Sequence, residues 1–290
     1  MRQFLCDSLP DSTGRLVVKG RNYRYLVKVL RFSEGDSLDA RLPDGRLVRL
    51  CVERIQQMSA VLRVAQEVAG NGSGGSGDAC GVVKSGSGLM AEGEASKTTQ
   101  GVQAYEVQAM AEKTPRLWLF QFLPKPQKMD LIIRQATECG VSRIIPILGA
   151  YSVKNDSSGR MERWERIIRE ARQQCGSAVA TEITEAVGVG AAADMWKKFS
   201  EENALSSGNS YAFLLDENPS AGKNCFTQIN KTSVGAAALA VGCEGGISDE
   251  ERKILLDAGF MPLHFMTNVL RTETAALYGI AVIQQFFSAD

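Results

Sequence analysis

The 290-residue chain has a single histidine, His264. A multi-histidine metal site is therefore excluded, and a histidine-based triad would have to use that one residue. The seven cysteines (6, 51, 80, 139, 175, 225 and 243) are odd in number and never spaced CxxC. That argues against a disulfide framework or a zinc site and fits a reducing compartment. No apolar run reaches the length of a membrane span, so no membrane contact is expected. The N-terminal stretch MRQFLCDSLPD meets charge too early for a signal peptide, and a cytoplasmic location follows as the expectation. No G-x-G-x-x-G opens a first strand–helix unit, and no Gly-Lys-Ser/Thr follows the GCEGG loop at 242–246. The dinucleotide fingerprint and the P-loop are both missing.

What is present is an uneven charge in a neutral chain. Residues 1–66 carry a net +5, residues 116–176 another +5, and the remainder −10. The basic segments suit either a solvated surface or a polyanionic partner. Arg21, Arg24, Lys28 and Arg31 are the first candidates for phosphate contacts. Arg160, Arg163, Arg166, Arg169 and Arg172 recur every three residues and either meet RNA or pair with Glu162, Glu165 and Glu170.

The chain divides into three expected parts. Residues 1–69 read as a small barrel or curled sheet. DSLDARL, a Pro43-Asp44-Gly45 turn, RLVRLCVERI and AVLRVA give short strands, and YRYLVKVLRF gives one helix. Residues 70–112 read as a flexible insertion or linker, because Gly and Ser supply 15 of the 32 residues 70–101. Residues 113–290 alternate strand and helix signals. RLWLFQFL, SRIIPIL, YAFLLDE, AAALAVG and MPLHFM read as strands. KMDLIIRQATEC, RMERWERIIREARQQC, SDEERKILLDAG and TETAALYGIAVIQQFF read as helices, the third with a Ser248–Glu251 capping box. The alternation predicts an α/β domain with a mainly parallel sheet, and Trp118, Trp164 and Trp196 fall in its core pattern.

Ligands of such sheets sit beyond the carboxyl ends of the strands. Two loops stand there. GCEGG precedes a helix N-terminus, so it is either a plain tight turn or a close-approach surface for a ligand. LRTETAAL, at 270–277, sets Arg271, Thr272 and Glu273 before an apolar run. A helix start explains Thr272 as cap and Glu273 at the positive end. It leaves Arg271, a cation where the dipole repels one, in need of Glu273 or a bound anion as partner. His264 reads as structural or as a titrating group near these loops.

The pattern AVGCEGGISDEE…GFMPLHFMTNVLRTETAAL resembles the bacterial enzymes that methylate N3 of a uridine in 16S ribosomal RNA. These are S-adenosylmethionine-dependent methyltransferases of the knotted SPOUT class. YLVKVLRFSEGDSL, PKPQKMDLIIRQATECGVSRIIPI and RWERIIREARQQCG resemble other parts of the same family, and only the Gly/Ser-rich stretch is foreign to it. The resemblance implies a PUA-like RNA-binding barrel followed by a SPOUT domain with a deep trefoil knot. It implies a homodimer acting on 16S RNA within the small ribosomal subunit. S-adenosylmethionine would lie against Gly242, Gly245 and Gly246 on one side and Phe265, Val269, Leu270, Thr272 and Thr274 on the other. Arg271 would stabilise the uridine anion or grip a phosphate, and Glu273 would act as base or orient Arg271. Cys243, Gln135, Ser177, Thr181, Met266 and Asn268 depart from the family's usual residues. Met266, where glycine is usual, puts a side chain in the cofactor loop. These departures leave a second reading open: an RNA-binding or ribosome-associated protein of this fold with weakened or lost catalysis.

Overall fold

The computed structural model describes residues 4–67, 114–153, 159–206, 209–218, 225–231 and 234–288. The segment 70–112, expected as an insertion or linker, lies outside the described residues. The described chain forms two compact units, residues 4–67 and residues 114–288.

The first unit is a five-stranded sheet, with strands β1 (Phe4–Leu5), β2 (Arg15–Lys19), β3 (Ser37–Arg41), β4 (Leu47–Ile55) and β5 (Ser59–Glu67) in the order β1-β3-β4-β5-β2. The β3–β4 hairpin turns at the expected Pro-Asp-Gly, with Gly45 at φ 88°, the left-handed region open to glycine. Alternation decides the faces: Leu16, Val18, Leu38, Ala40, Leu50, Val52, Ala60 and Leu62 all point into one core. The expected helix starts earlier than its pattern, at Gly20. Helix α1 (Gly20–Arg24) widens into a π-helical turn, Tyr25–Val29, where Leu30 N donates to Tyr25 O at 2.9 Å. Arg31 then ends it at φ 57°.

The second unit is a parallel sheet with helices on both faces. Its strands are β6 (Arg116–Phe122), β7 (Arg143–Leu148), β8 (Glu182–Ile183), β9 (Val187–Gly188), β10 (Asn209–Leu215), β11 (Val234–Val241) and β12 (Phe260–Leu263). The order is β12-β10-β11-β6-β7-β8, with β9 also on β7, and every pairing is parallel. The middle strands are buried on both sides, which is why LWLF and AAALAV read as unbroken apolar runs. One face holds helices α2 (Pro126–Glu138), α3 (Arg160–Cys175) and α6 (Thr272–Ser288), through Ile132, Ile133, Trp164, Ile168, Ala276 and Ile280. The other holds α4 (Val189–Ser206) and α5 (Asp249–Asp257), through Trp196 and Leu255. Trp118, Trp164 and Trp196 are core residues, as their patterns predict. Arg163 of α3 pairs with Asp130 of α2 rather than with a glutamate of its own helix. No helix among the described residues is long and apolar enough to cross a membrane.

Two expectations shift. The strand read as MPLHFM is shorter: pairing with β10 ends at Leu215↔Leu263, so His264 and Phe265 leave the sheet. Helix α4 was not evident, because its core contacts are small alanines, Ala192 and Ala193, around one tryptophan.

The predicted capping box is present: Ser248 N donates to Glu251 Oε2 at 3.0 Å and Glu251 N to Ser248 Oγ at 3.3 Å. Glu251 also reaches across the sheet, accepting from Ala150 N at 2.7 Å, so one buried carboxylate fixes two loops. Glu251→Ala leaves two backbone donors without their acceptor and is expected to cost about 2 kcal/mol. Urea denaturation measures it; a loss as small as that of an exposed surface substitution contradicts the bridging role.

Candidate active site

The chains leaving β10, β11 and β12 enclose a cavity of about 600 Å³, the size of a small-ligand pocket. Leu214–Asn218, Val241–Ile247, Leu263–Phe265 and Thr267–Thr272 supply most of its wall; Lys128 of α2, Asp249 and Arg252 of α5 and Ala275 of α6 complete it.

The glycine loop closes on itself. Gly246 N donates to Cys243 O at 3.0 Å, and Gly246 sits at φ 77°. A Cβ on Gly245 would stand 2.7 Å from Tyr151 Cβ, and one on Gly242 would stand 3.2 Å from the Gly246 backbone. Gly245 is therefore demanded by its packing against Tyr151, and at Gly242 a side chain would press on the loop's own backbone. Cys243 is buried in the turn, its thiol 3.6 Å from Gly246 O. Burial pushes that thiol's pKa up, so it stays protonated.

A buried junction joins this loop to α6. Gln121, fully buried on β6, donates through Nε2 to Thr272 Oγ1 at 3.1 Å and approaches the carbonyls of Val241 and Gly242 at 3.3 Å each. Thr272 Oγ1 donates in turn to Gly242 O at 2.6 Å. Thr272, expected as the helix cap, is instead the first helical residue, and its hydroxyl bonds the carbonyl just beyond the end of β11.

On the far wall, Asp216 accepts from Arg252 Nε at 2.7 Å and from Asn218 N at 2.9 Å. His264 Nδ1 lies 3.0 Å from Asp216 O; a carbonyl only accepts, so Nδ1 carries the proton. That contact makes the ring a structural bond of the loop.

At the mouth, Lys128 Nζ stands 3.1 Å from Glu273 Oε2 and 3.5 Å from Glu244 Oε1. Burial opposes ionisation of Glu273. Its own backbone N–H, Lys128 and the Arg271 guanidinium outweigh that and hold its pKa below the ordinary carboxyl value. Arg271 itself is exposed and forms no side-chain hydrogen bond or ion pair among the described residues.

The cavity thus gathers Gly242, Gly245, Gly246, Phe265, Val269, Leu270, Arg271 and Thr272. Thr274 is not brought there. It lies two residues, about 200°, round the helix from Thr272 and is exposed, while Ala275 takes the wall position. Glu273 stands beside the wall through Lys128. Met266 is 95% exposed and outside the wall, so the side chain expected to crowd this loop points away. Lys128, Glu244, Asp216 and Arg252 are missing from the sequence reading. Lys128 sat unnoticed in the basic run PKPQK, and Asp216 at the polar end of the strand YAFLLDE. In the first unit, Arg21, Arg24 and Lys28 are exposed at helical spacing, with Arg31 exposed just beyond.

Residues 111–284, more than half of the sequence, match the family described as RNA methyltransferase domain. The chain belongs to the RNA methyltransferase family. This methyltransferase is 31% identical over 164 residues to ribosomal RNA small subunit methyltransferase E of Aquifex aeolicus, a match spanning 54% of this chain and 63% of that protein. To the protein of the same name from Mycobacterium tuberculosis it is 26% identical over 284 residues, 97% of this chain and 90% of the relative. Its fold follows, with a TM-score of 0.71 at 19% identity, the crystal structure of a ribosomal RNA small subunit methyltransferase E from Neisseria gonorrhoeae bound to S-adenosyl methionine. That superposition covers 98% of this chain and 97% of the other.

The depressed carboxyl of Glu273 gives the methyltransferase a pH signature. A carboxyl with a lower pKa in the folded state contributes stability above its unfolded value, near the ordinary 4.5, and loses it as pH falls through the folded value. Glu273→Gln is therefore expected to be less stable than the unaltered protein at neutral pH, with the gap narrowing in acid. Urea midpoints across that range test this, and a gap that widens toward acid reverses the sign.

Proposed function

We propose that the protein transfers a methyl group from S-adenosylmethionine to N3 of a uridine in 16S ribosomal RNA of the small subunit. The observation that carries this reading is a nucleoside-sized cavity at the carboxyl ends of β10, β11 and β12, with an uncommitted arginine at its mouth. Its chemistry fits a cationic sulfonium on an adenosine. Asp216, Glu217, Glu244 and Asp249 place acidic groups round the wall, and Leu215, Ile247 and Phe265 offer apolar surface. Backbone groups of Gly242–Gly246 and Leu263–Leu270 would meet the adenine edge. When bound, the cofactor supplies an electrophilic methyl carbon.

The chain's own part is to seat the uridine and stabilise its anion, because N3 is a poor nucleophile until its proton leaves. Arg271 is assigned to the nucleotide rather than to the cofactor, since a cation gains nothing beside a sulfonium. Glu273, held as an anion by its neighbours, is a weaker proton acceptor than a free carboxylate and serves to position Lys128. Nothing in the loop favours the reading with lost catalysis, because Met266 leaves the cavity open.

The wider reading has residues 1–69 as a PUA-like RNA-binding domain, 70–112 as a linker or insertion, and 113–290 as a SPOUT domain whose chain passes through a trefoil knot. It takes the protein as a cytoplasmic homodimer. Arg21, Arg24, Lys28 and Arg31 would contact RNA phosphates.

Arg271→Ala is expected to slow single-turnover methylation of small-subunit particles about 100- to 1000-fold. Calorimetry should show S-adenosylmethionine binding nearly unchanged. Normal turnover, or lost cofactor binding, would remove Arg271 from the uridine. Arg24→Ala is expected to weaken RNA binding at all sequences and to lower the slope of log affinity against log salt by about 1. An unchanged slope would remove that residue from the phosphate contacts.

A further inference from the structure

Ionising uridine N3 spreads negative charge over O2, N3 and O4. One cation covers one of the two flanking carbonyls; stabilising the whole anion asks for a donor on each side of N3. A strong base would relax that demand, but the lowered pKa of Glu273 makes its carboxylate a weak one.

Besides Arg271, the cation at that end of the cavity is Lys128. It lies in the first turn of α2, whose N-terminal dipole disfavours a cation. Two carboxylates hold it there from two other elements: Glu244 of the glycine loop at 3.5 Å and Glu273 of α6 at 3.1 Å. The ammonium carries three donors, and the two carboxylates take at most two of them, which leaves one for a ligand. Both carboxylates favour the charged ammonium and raise the Lys128 pKa, through the Glu273 contact first. The result is a lysine kept protonated, tethered on two sides, and lining the same cavity as Arg271.

We propose that Lys128 is a second catalytic cation, whose ammonium donates to one carbonyl flanking uridine N3 while Arg271 takes the other. Glu244 and Glu273 are the positioning residues that hold it. The step it serves is ionisation: the N3–H bond breaks, the proton goes to solvent water, and the electron pair stays on the uracil ring for the incoming methyl. This inference rests on uridine N3 being the methyl acceptor.

Small subunits are reconstituted with 16S RNA carrying either uridine or 5-fluorouridine, whose N3–H is more acidic. Single-turnover methylation is measured for the unaltered protein, Lys128→Met and Lys128→Arg, with S-adenosylmethionine binding followed by calorimetry. Lys128→Met is expected to lose about 100-fold in rate on uridine RNA, to recover most of that loss on 5-fluorouridine RNA, and to bind cofactor normally. Lys128→Arg, which keeps the charge, is expected to fall much less. An equal loss on both RNAs, or a loss of cofactor binding in both variants, makes Lys128 a structural tether and overturns the proposal. An unchanged rate in Lys128→Met overturns it as well. Failure of the unaltered protein to methylate uridine subunits instead refutes the proposed reaction.

Discussion

The junction of Gln121, Gly242 and Thr272 is the constraint on which the site depends. Gln121 stands on a central strand, Gly242 begins the glycine loop, and Thr272 begins the last helix; the three are tied by bonds of 2.6 to 3.3 Å. Gln121 and Thr272 are buried and Gly242 partly so, and a partner lost from a buried polar group costs more than a bond gains. Fixing Thr272 fixes its neighbours. Arg271 is left at the cavity mouth and Glu273 beside Lys128. The connection from β12 to this point exposes Met266 and Val269 and has little regular structure. Its ends are pinned by the His264–Asp216 bond on one side and by the junction on the other. An edge-on contact of Phe265 with Tyr278, centroids 4.9 Å apart, adds a third hold.

Among the described residues, the basic side chains around the cavity are held in pairs, with one exception. Arg252 is held by Asp216, and Lys128 is shared between Glu244 and Glu273. Such partly exposed pairs contribute little to stability, but they limit where each charge can go. Arg271 is the exception, influencing Glu273 without pairing to it. A cation left uncommitted at the mouth of a cavity suits a ligand that arrives as an anion or becomes one.

The glycine loop shows how a resemblance and a physical cause can differ. Glycines at 242 and 245 suggest close approach to a ligand, yet their missing side chains make room for the loop itself and for Tyr151. Both effects coexist, since the loop must close in this way to present its backbone to the cavity. Cys243, where the family usually has proline, is accommodated because the turn is held by the Gly246–Cys243 bond and by the left-handed Gly246.

Local pattern alone identified most of the architecture. Apolar runs marked the buried strands, 3.6-residue periodicity marked α2 and α3, and the Ser248–Glu251 capping box marked the start of α5. These signals are legible because each arises between residues close in sequence. The two-residue strands β8 and β9 and the alanine-lined α4 left no such trace. The motifs also identified the loops that line the cavity, and Arg271 within them. The sequence could not show that Thr272 bonds Gly242 rather than capping its helix, that Thr274 faces away, or that Lys128 meets Glu244 and Glu273 across more than a hundred residues of chain. Those are decided by which strand ends lie side by side in the parallel sheet. That adjacency is set by the packing of the whole domain, because local periodicity specifies which face of an element is buried but not which distant element it is buried against.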